Sequence, residues 1–468
     1  MSSRRALWIA VTLCAALGLA LRLLAAQGAL WLDEAWSAEM AHDAGTPLAV
    51  FLGINHDNNH HLNTLWLQLV GFGAPPMLQR ALSIACGTLT VFVAAAIGLR
   101  QSALAAAVAA LLFAVSPLLV TYGAEARGYA PMVLALLGAV LIVARWLDDT
   151  GRRVPAIPLA ITVTLGMFAQ LSMAFGLAAM ALWIGWALLG ERVTRAGLRD
   201  VARVLAPLLL PALAVVGFVF GAAQAAGTGL QIGNYEPFAL WTLIDGVGAM
   251  LLAALGGPVA LVAGALLLAP ADSPETRPGP KRDQRFFAFA LAIPLGVALL
   301  QIANSGAPRY HLIAGVAALM LIAIRTGPRI ASAHPLRWPV RGLLAIVVAA
   351  SLITDWRIAA NLRADPGKAL DAIAAAAPAG EQVAVGHPRS APVLRAAAAS
   401  RRYPLEVVEA PCPATRFLFL DRDGTMPFPD RPVRCRAAYR VIAEAHPTGL
   451  SGTHWKLYER DGAPVSNR

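Results

Sequence analysis

The sequence predicts an α-helical polytopic membrane protein carrying a small α/β domain after its last span, and three observations predict it. Apolar runs of about 20 residues recur between residues 6 and 357, each long enough to cross a hydrocarbon core of about 30 Å. Charged residues make up 14% of the 468-residue chain and hydrophobic ones 58%. A soluble domain carries about 25% charged residues, so this chain lacks the polar surface to coat a water-exposed globule. The basic residues lie in short loops between the apolar runs, and those loops segregate by charge.

About eleven transmembrane helices are expected, over 6–26, 80–99, 102–121, 129–147, 155–172, 173–190, 204–223, 243–269, 286–303, 311–325 and 341–357. The 155–190 stretch reads equally as one long helix or two short ones. The first run follows Arg4 and Arg5 in the manner of a secretory signal. Its length of about 20 residues exceeds the 7–15 usual for a signal's apolar region, so it is read as a retained span.

One alternate set of loops holds Arg4 and Arg5; Arg100; Arg152 and Arg153; Arg192, Arg195, Arg199 and Arg203; Arg277, Lys281, Arg282 and Arg285; and Arg325, Arg329, Arg337 and Arg341. The other set holds Arg80, Arg127 and Arg309. The positive-inside rule then makes the N-terminus cytoplasmic and, with an odd span count, the tail external (periplasmic in an inner, or plasma, membrane). The net charge of +11 is therefore a topology signal. Nucleic-acid binding would need basic residues gathered on one soluble face and interleaved with aromatics, and they are not.

The expected domains are 1–357, a transmembrane domain whose first outer loop, 27–79, is the longest, and 358–468, a small external domain. That loop contains an amphipathic stretch at 62–72 suited to the membrane interface. A second outer loop, 224–242, carries Asn234, Tyr235 and Glu236. In the tail, Pro, Arg and Asp become more frequent. Short β-type runs appear at Gln382–Gly386, Arg416–Leu420, Arg440–Ala443 and Trp455–Tyr458, with a helical piece at Ser390–Ser400. Of the four cysteines, Cys14 and Cys86 fall in spans and read as small buried hydrophobes. Cys412 and Cys435 lie in the tail, where an oxidising compartment makes a disulfide plausible.

Four constellations could carry chemistry. Trp31-Leu32-Asp33-Glu34-Ala35-Trp36-Ser37 follows the first span. It reads either as a solvated helix start, with acids favoured by the N-terminal dipole, or as a general base at the membrane face flanked by aromatics. Asn55-His56-Asp57-Asn58-Asn59-His60-His61 lies later in the same loop. Its imidazoles and carboxylate are metal-ligand types, but it lacks a recognised metal spacing such as His-Glu-x-x-His. A substrate-binding wall built on His56, Asp57, His60 and His61 is the favoured reading; a divalent metal is admitted there but not required, and no cofactor is assigned. Tyr122-Gly123-Ala124-Glu125-Ala126-Arg127-Gly128-Tyr129 joins two spans on the outer side. An arginine costs about 2.5–3.5 kcal/mol at a helix centre and less near the interface, so Arg127 either snorkels to the headgroups or serves a site. Ala307-Pro308-Arg309-Tyr310 sits in a later outer loop, and Arg22 lies near the outer end of the first span.

Together these groups have a physical logic. External carboxylates can take a proton from an attacking hydroxyl, and arginines at headgroup depth can hold a phosphate through charge-assisted hydrogen bonds. There is no P-loop or Rossmann glycine pattern for a nucleotide and no Gly-x-Ser-x-Gly elbow.

The arrangement resembles the polyprenyl-phosphate-dependent glycosyltransferases of the C-type fold. The nearest pattern is the Rgt-type lipopolysaccharide glycosyltransferase group, related to protein O-mannosyltransferases and lipid A aminoarabinose transferases. The resemblance rests on WLDEAWS at 31–37, NHDNNHHLNTLW at 55–66, SPLLVTYGAEARGYA at 116–130 and PRYHLIAG at 308–315. It covers the membrane region; the tail matches no part of it. Where such relatives often have His-Pro, this chain has His60-His61.

The resemblance implies that Asp33 activates the acceptor and that Glu34 shapes or polarises the same site. It implies that Tyr122, Glu125, Arg127 and Tyr129 form part of the donor pocket, with Arg309 and Tyr310 as a second donor contact. The implied donor is a polyprenyl-phosphate-linked sugar, and the acceptor an envelope lipid, glycan or protein. The rival reading is a multi-pass transporter or flippase. Transporter sites cluster at the membrane midplane, whereas here the charged groups gather at one face and carboxylates within spans are nearly absent, Asp245 being the exception.

Overall fold

The computed structural model describes residues 2–54, 60–190, 193–227, 235–269, 282–331, 336–409, 415–422 and 426–461. His56, Asp57, Asn234 and Cys412 lie outside the described residues, as do Arg192, Arg277 and Lys281 of the basic loops. In chain order the helices are α1 (Ser2–Ala25), α2 (Leu32–Ala44), α3 (Pro47–Leu52), α4 (His61–Val70), α5 (Pro76–Gln79), α6 (Ala81–Leu99), α7 (Ala103–Val115) and α8 (Pro117–Gly123). There follow α9 (Tyr129–Leu147), α10 (Ala156–Ala169), α11 (Met173–Leu189), α12 (Arg195–Ala225), α13 (Leu240–Leu255), α14 (Pro258–Leu268), α15 (Arg282–Leu291) and α16 (Ile293–Leu299). The series ends with α17 (Leu312–Ala331), α18 (Arg337–Asn361), α19 (Gly367–Ala376) and α20 (Ala391–Arg401).

Every apolar segment marked in the sequence is helical, but not every one is a single long helix. Among the described residues 6 helices (α1, α6, α9, α12, α17 and α18) are long and apolar enough to cross a membrane, and up to 8 if each of two bent pairs is one span. The chain is thus polytopic by the length and composition of its helices. The bends have local causes. α7 and α8 meet at 58°, where Ser116 is extended at φ −67° and ψ 120° because the following Pro117 disfavours helical backbone before it. The Ser116 hydroxyl instead donates to the Ala254 carbonyl at 2.8 Å. α13 and α14 meet at 86° through Gly256 and Gly257, whose φ values of +93° and +128° suit residues without a Cβ. The 155–190 stretch resolves into two shorter apolar helices, α10 and α11, and 286–303 is divided between α15 and α16 ahead of Pro294.

Two compact units emerge. One comprises Met1–Leu23, Phe51–Leu62 and Ser83–Trp356; the other comprises Leu24–Val50, Asn63–Leu82 and Arg357–Arg468. In the first, the basic loops are partly neutralised locally. Arg100 bridges Asp148 at 2.8 Å and Asp283 at 2.5 Å.

The second unit is built on a six-stranded sheet of β1 (Glu381–Val385), β2 (Leu405–Val408), β3 (Phe417–Arg422), β4 (Val433–Arg434), β5 (Ala437–Ala445) and β6 (His454–Arg460). The spatial order is β2-β1-β3-β6-β5-β4. β1 runs parallel to β2 and β3, with α20 as the crossover to β2, and β6 pairs antiparallel with both β3 and β5. Side chains alternate between faces with the strand period of two. Val383, Val385, Phe417, Phe419, Trp455 and Leu457 share one core with Ile373 and Leu394. Ala384, Leu418, Leu420, Tyr439 and Tyr458 form the other. The four β-type runs of the tail are β1, β3, β5 and β6. The short β2 and the two-residue β4 carry too few residues to show a pattern.

Residues from the first long loop belong to this same unit. α2 packs on α20, where Arg395 bridges Glu39 at 3.1 Å and Glu409 at 2.5 Å. The Trp36 indole donates to the Arg389 carbonyl at 2.7 Å. Asp365 accepts from the Ala29 and Gly367 amides, each at 2.9 Å, and Arg363 donates to the Ala25 carbonyl at 2.7 Å.

Candidate functional site

In the first unit the Glu125–Tyr129 turn connects α8 to α9 and is almost wholly enclosed. Glu125 is 0% exposed and Arg127 8%. The Arg127 carbonyl accepts from the Ser83 hydroxyl at 2.7 Å, which fixes the turn against α6. The Arg127 guanidinium lies 5.0 Å from the centre of the Tyr129 ring, within cation–π range. Tyr129 in turn sits 4.8 Å from the Tyr122 ring and 4.9 Å edge-on from His60. Gly128 allows this closure. A Cβ there would overlap the Ala169 carbonyl and come within 3.0 Å of His60 Nδ1.

His60, 2% exposed, is where the distant parts of this unit meet. Burial is the main cause that lowers its pKa well below the ordinary imidazole value, and the positive charges of Arg127 and, more weakly, Arg309 add to it. His60 is therefore neutral at physiological pH. Arg309 stands on a 3-10 turn, Pro308–His311, before α17. Its guanidinium lies 5.5 Å from the Tyr310 ring. The turn is held by His311, fully buried, whose Nε2 is 2.8 Å from the Ser305 carbonyl oxygen. Sequence reasoning missed Ser83, Gly128 and His311 as supports. The run Pro308-Arg309-Tyr310-His311 held the signal for the last.

His61 belongs to an aromatic box instead. It stacks on Phe51 at 5.3 Å and meets Phe168 at 6.4 Å, and burial pushes its pKa down from 6.5 to about 4. That environment makes it a packing residue. Its neighbours in the motif, His56 and Asp57, lie outside the described residues.

Arg22 is also enclosed in this unit, 1% exposed. It donates to the carbonyls of Gly18 at 2.9 Å and Phe113 at 3.1 Å. Gly87 and Gly123 make room for it, since a Cβ on either would come within 2.7 Å and 2.5 Å of its Nε. A small pocket is lined by Arg22, Leu119, Tyr122, Tyr129, Val133 and Leu312, among others. The guanidinium in the first span and the two tyrosines thus face one space.

In the second unit, Asp33 and Glu34 occupy the first turn of α2. The fold gives them different environments. Glu34 is 0% exposed and paired with Arg80, 1% exposed, through Nε at 2.9 Å and Nη2 at 2.5 Å. It also accepts from the Trp31 amide at 3.2 Å. Arg80 spends its remaining donors on the carbonyls of Ala26, Gly28 and Ala29 at 2.7–2.9 Å. Arg80, read from the sequence only as an outer-loop charge, is therefore the anchor of the turn that presents Asp33. Asp33 is partly exposed, and its backbone carbonyl accepts from the Ser37 hydroxyl at 2.9 Å. Trp31 is buried and Trp36 is committed to Arg389, so neither aromatic stands open beside Asp33.

Cys435 is disulfide-bonded, whereas Cys14 and Cys86 are free; Cys412 lies outside the described residues.

No family model matches the chain, and no curated protein does. Among solved structures the chain is similar to the oligosaccharyltransferase of Archaeoglobus fulgidus. The form tethered through a disulfide bond to an acceptor peptide containing the NVT sequon aligns at 13% identity with a TM-score of 0.48, over 85% of this chain and 63% of that one. The apo form gives 13%, 0.47, 85% and 64%. The complex with Zn and sulfate gives 14%, 0.49, 88% and 68%. The chain thus spans under two thirds of the length of the first two, and a likeness of this degree says nothing of substrate or mechanism.

Proposed function

We propose that this protein is an integral membrane glycosyltransferase of the C-type fold. It moves a sugar from a polyprenyl-phosphate donor to an envelope lipid, glycan or protein acceptor at the outer face of the inner membrane. The observation that carries this reading is the enclosed cluster of Arg127, Tyr129, Tyr122 and His60, with the charge of Arg309 reaching the same histidine. A guanidinium in an aromatic-lined, largely enclosed turn, with a second one close enough for its charge to be felt there, is suited to a phosphate, which arginines can hold bidentately. Arg22 stands beside the same two tyrosines, on the wall of a small pocket, and adds a further positive charge there.

The reaction is a single inverting displacement. Asp33 takes the proton from the acceptor hydroxyl, and the acceptor oxygen bonds to the anomeric carbon. The bond from that carbon to the phosphate oxygen breaks, and polyprenyl phosphate leaves with the electron pair. The negative charge that develops on the phosphate is stabilised by Arg127 and Arg309, in the way preorganised cations act on a transition state. Of the acidic pair, Asp33 is the base, because Glu34 is already engaged by Arg80 and the Trp31 amide.

The test is transfer by the purified chain from a polyprenyl-phosphate sugar, comparing Asp33→Asn with the parent. General-base help is worth about 10²–10⁴-fold, so the variant loses activity on that scale while folding normally. Transfer at the parental rate removes Asp33 from the role.

A transporter or flippase is the second reading, and one observation favours it. Besides Asp245, α18 carries Asp355, 1% exposed, whose two carboxylate oxygens have no hydrogen-bond partner among the described residues. Ionisable groups inside spans commonly mark transport pathways. Mass spectrometry of the envelope from a deletion strain separates the two. A missing sugar with accumulated lipid-linked sugar fits the transferase; intact glycans with altered solute uptake fit the transporter.

A further inference from the structure

The two ends of the β5–β6 connection each carry a histidine. His446 follows the last residue of β5, and His454 opens β6. Their rings approach to 3.4 Å between centroids, tilted by 38°. Glu444, at the end of β5, joins them, and one ligand-type atom from each of the three lies within 4.8 Å of the others. His454 Nε2 is buried without a hydrogen-bond partner among the described residues, while His446 and Glu444 are exposed, so the cluster is open to solutes.

We propose that Glu444, His446 and His454 form a divalent transition-metal site of the zinc class, which staples the β5–β6 connection closed. Two imidazoles and a carboxylate are a zinc donor set that leaves a fourth position for water. Bonds of about 2 Å put two ligand atoms no more than about 4 Å apart, so side-chain rotation of roughly an ångström completes the site. The carboxylate is held ready by Lys456, 2.8 Å away and directly across the strand pair. Metal binding displaces that ammonium, which has the Phe428 ring 5.6 Å from it as a second partner. Imidazole ligands select zinc, nickel or copper over the hard cations calcium and magnesium, which take oxygen ligands.

The staple has a mechanical target. The connection it closes holds Asn361, at the end of α18, on both sides. Asn361 Nδ2 donates to the His446 carbonyl at 2.8 Å, and its Oδ1 accepts from the Thr448 amide at 2.8 Å. Fixing the 446–454 connection therefore fixes the residues that lead from α18 into the sheet.

The experiment is calorimetric titration of the detergent-solubilised, metal-stripped full chain with zinc chloride, beside His446→Ala, His454→Ala and the double variant. The expected result is a saturable zinc site whose affinity falls at least about tenfold in each single variant, the scale seen when metal sites lose supporting groups. One equivalent should disappear in the double variant, and magnesium should give no heat. Zinc should also raise the melting temperature of the parent but not of the double variant. Since these side chains are outside both sheet cores, equal melting of parent and double variant without metal checks folding. No saturable site in the parent, or full stoichiometry and affinity in the double variant, overturns the proposal.

Discussion

Arg127 combines a carbonyl tied to Ser83, a side chain over Tyr129 and a field felt at His60. A charge so enclosed is expensive unless something uses it. The guanidinium's planar fork matters for holding a phosphate, and a lysine offers only a point charge. Arg127→Lys should therefore retain part of the transfer activity. Arg127→Ala should lose about 10²–10³-fold, the cost of deleting one electrostatic donor to a developing charge. Steady-state rates with varied donor concentration check this, and an unchanged Arg127→Ala variant would detach the residue from the donor. His60 and His61, adjacent in sequence, show how environment assigns roles. The first packs on Tyr129 and feels the charges of Arg127 and Arg309, the second stacks in a phenylalanine box.

At the scale of elements, the turn that begins α2 depends on one ion pair. Arg80 and Glu34 are both inaccessible, and Arg80 also satisfies carbonyls of the segment leading from α1. Arg80→Ala leaves a buried carboxylate uncompensated, a loss of about 3–5 kcal/mol, and opens the turn bearing Asp33. Thermal melting of the solubilised chain should show the loss. Replacing both partners by apolar residues (Arg80→Met with Glu34→Leu) should recover part of it, because no charge is then stranded. If Arg80→Ala melts like the parent, the pair is no anchor. The bent pairs α7–α8 and α13–α14 follow the same logic of local cause, one from Ser116-Pro117 and one from the Gly256-Gly257-Pro258 run.

For the whole molecule, charge segregation among loops proposes an orientation that contacts within the chain do not reveal. A membrane-impermeant thiol reagent applied to intact cells should label a cysteine at exposed Lys368 and leave one at Arg152, 80% exposed, unlabelled until the membrane is opened. The opposite pattern would invert the topology and with it the face assigned to the proposed transfer. The disulfide at Cys435 fits an oxidising compartment, which agrees with an external tail.

What the sequence by itself determined is the class of the molecule and where its apolar helices and main strands lie. Runs of apolar residues and the strand period of two are local properties, so the helices, the four main strands and the motifs around Asp33, Arg127 and Arg309 could all be read directly. Only tertiary structure decided the partners. Adjacent Asp33 and Glu34 look equivalent in sequence, yet Arg80, far along the chain, pairs with a fully buried Glu34 while Asp33 is partly exposed. Likewise α2 packs on α20, which no local pattern announces. Three ligand-type side chains also gather at the ends of a single strand connection. The physical reason is that burial and pairing free energies depend on which distant groups share a low-dielectric space, and one-dimensional spacing does not encode that proximity.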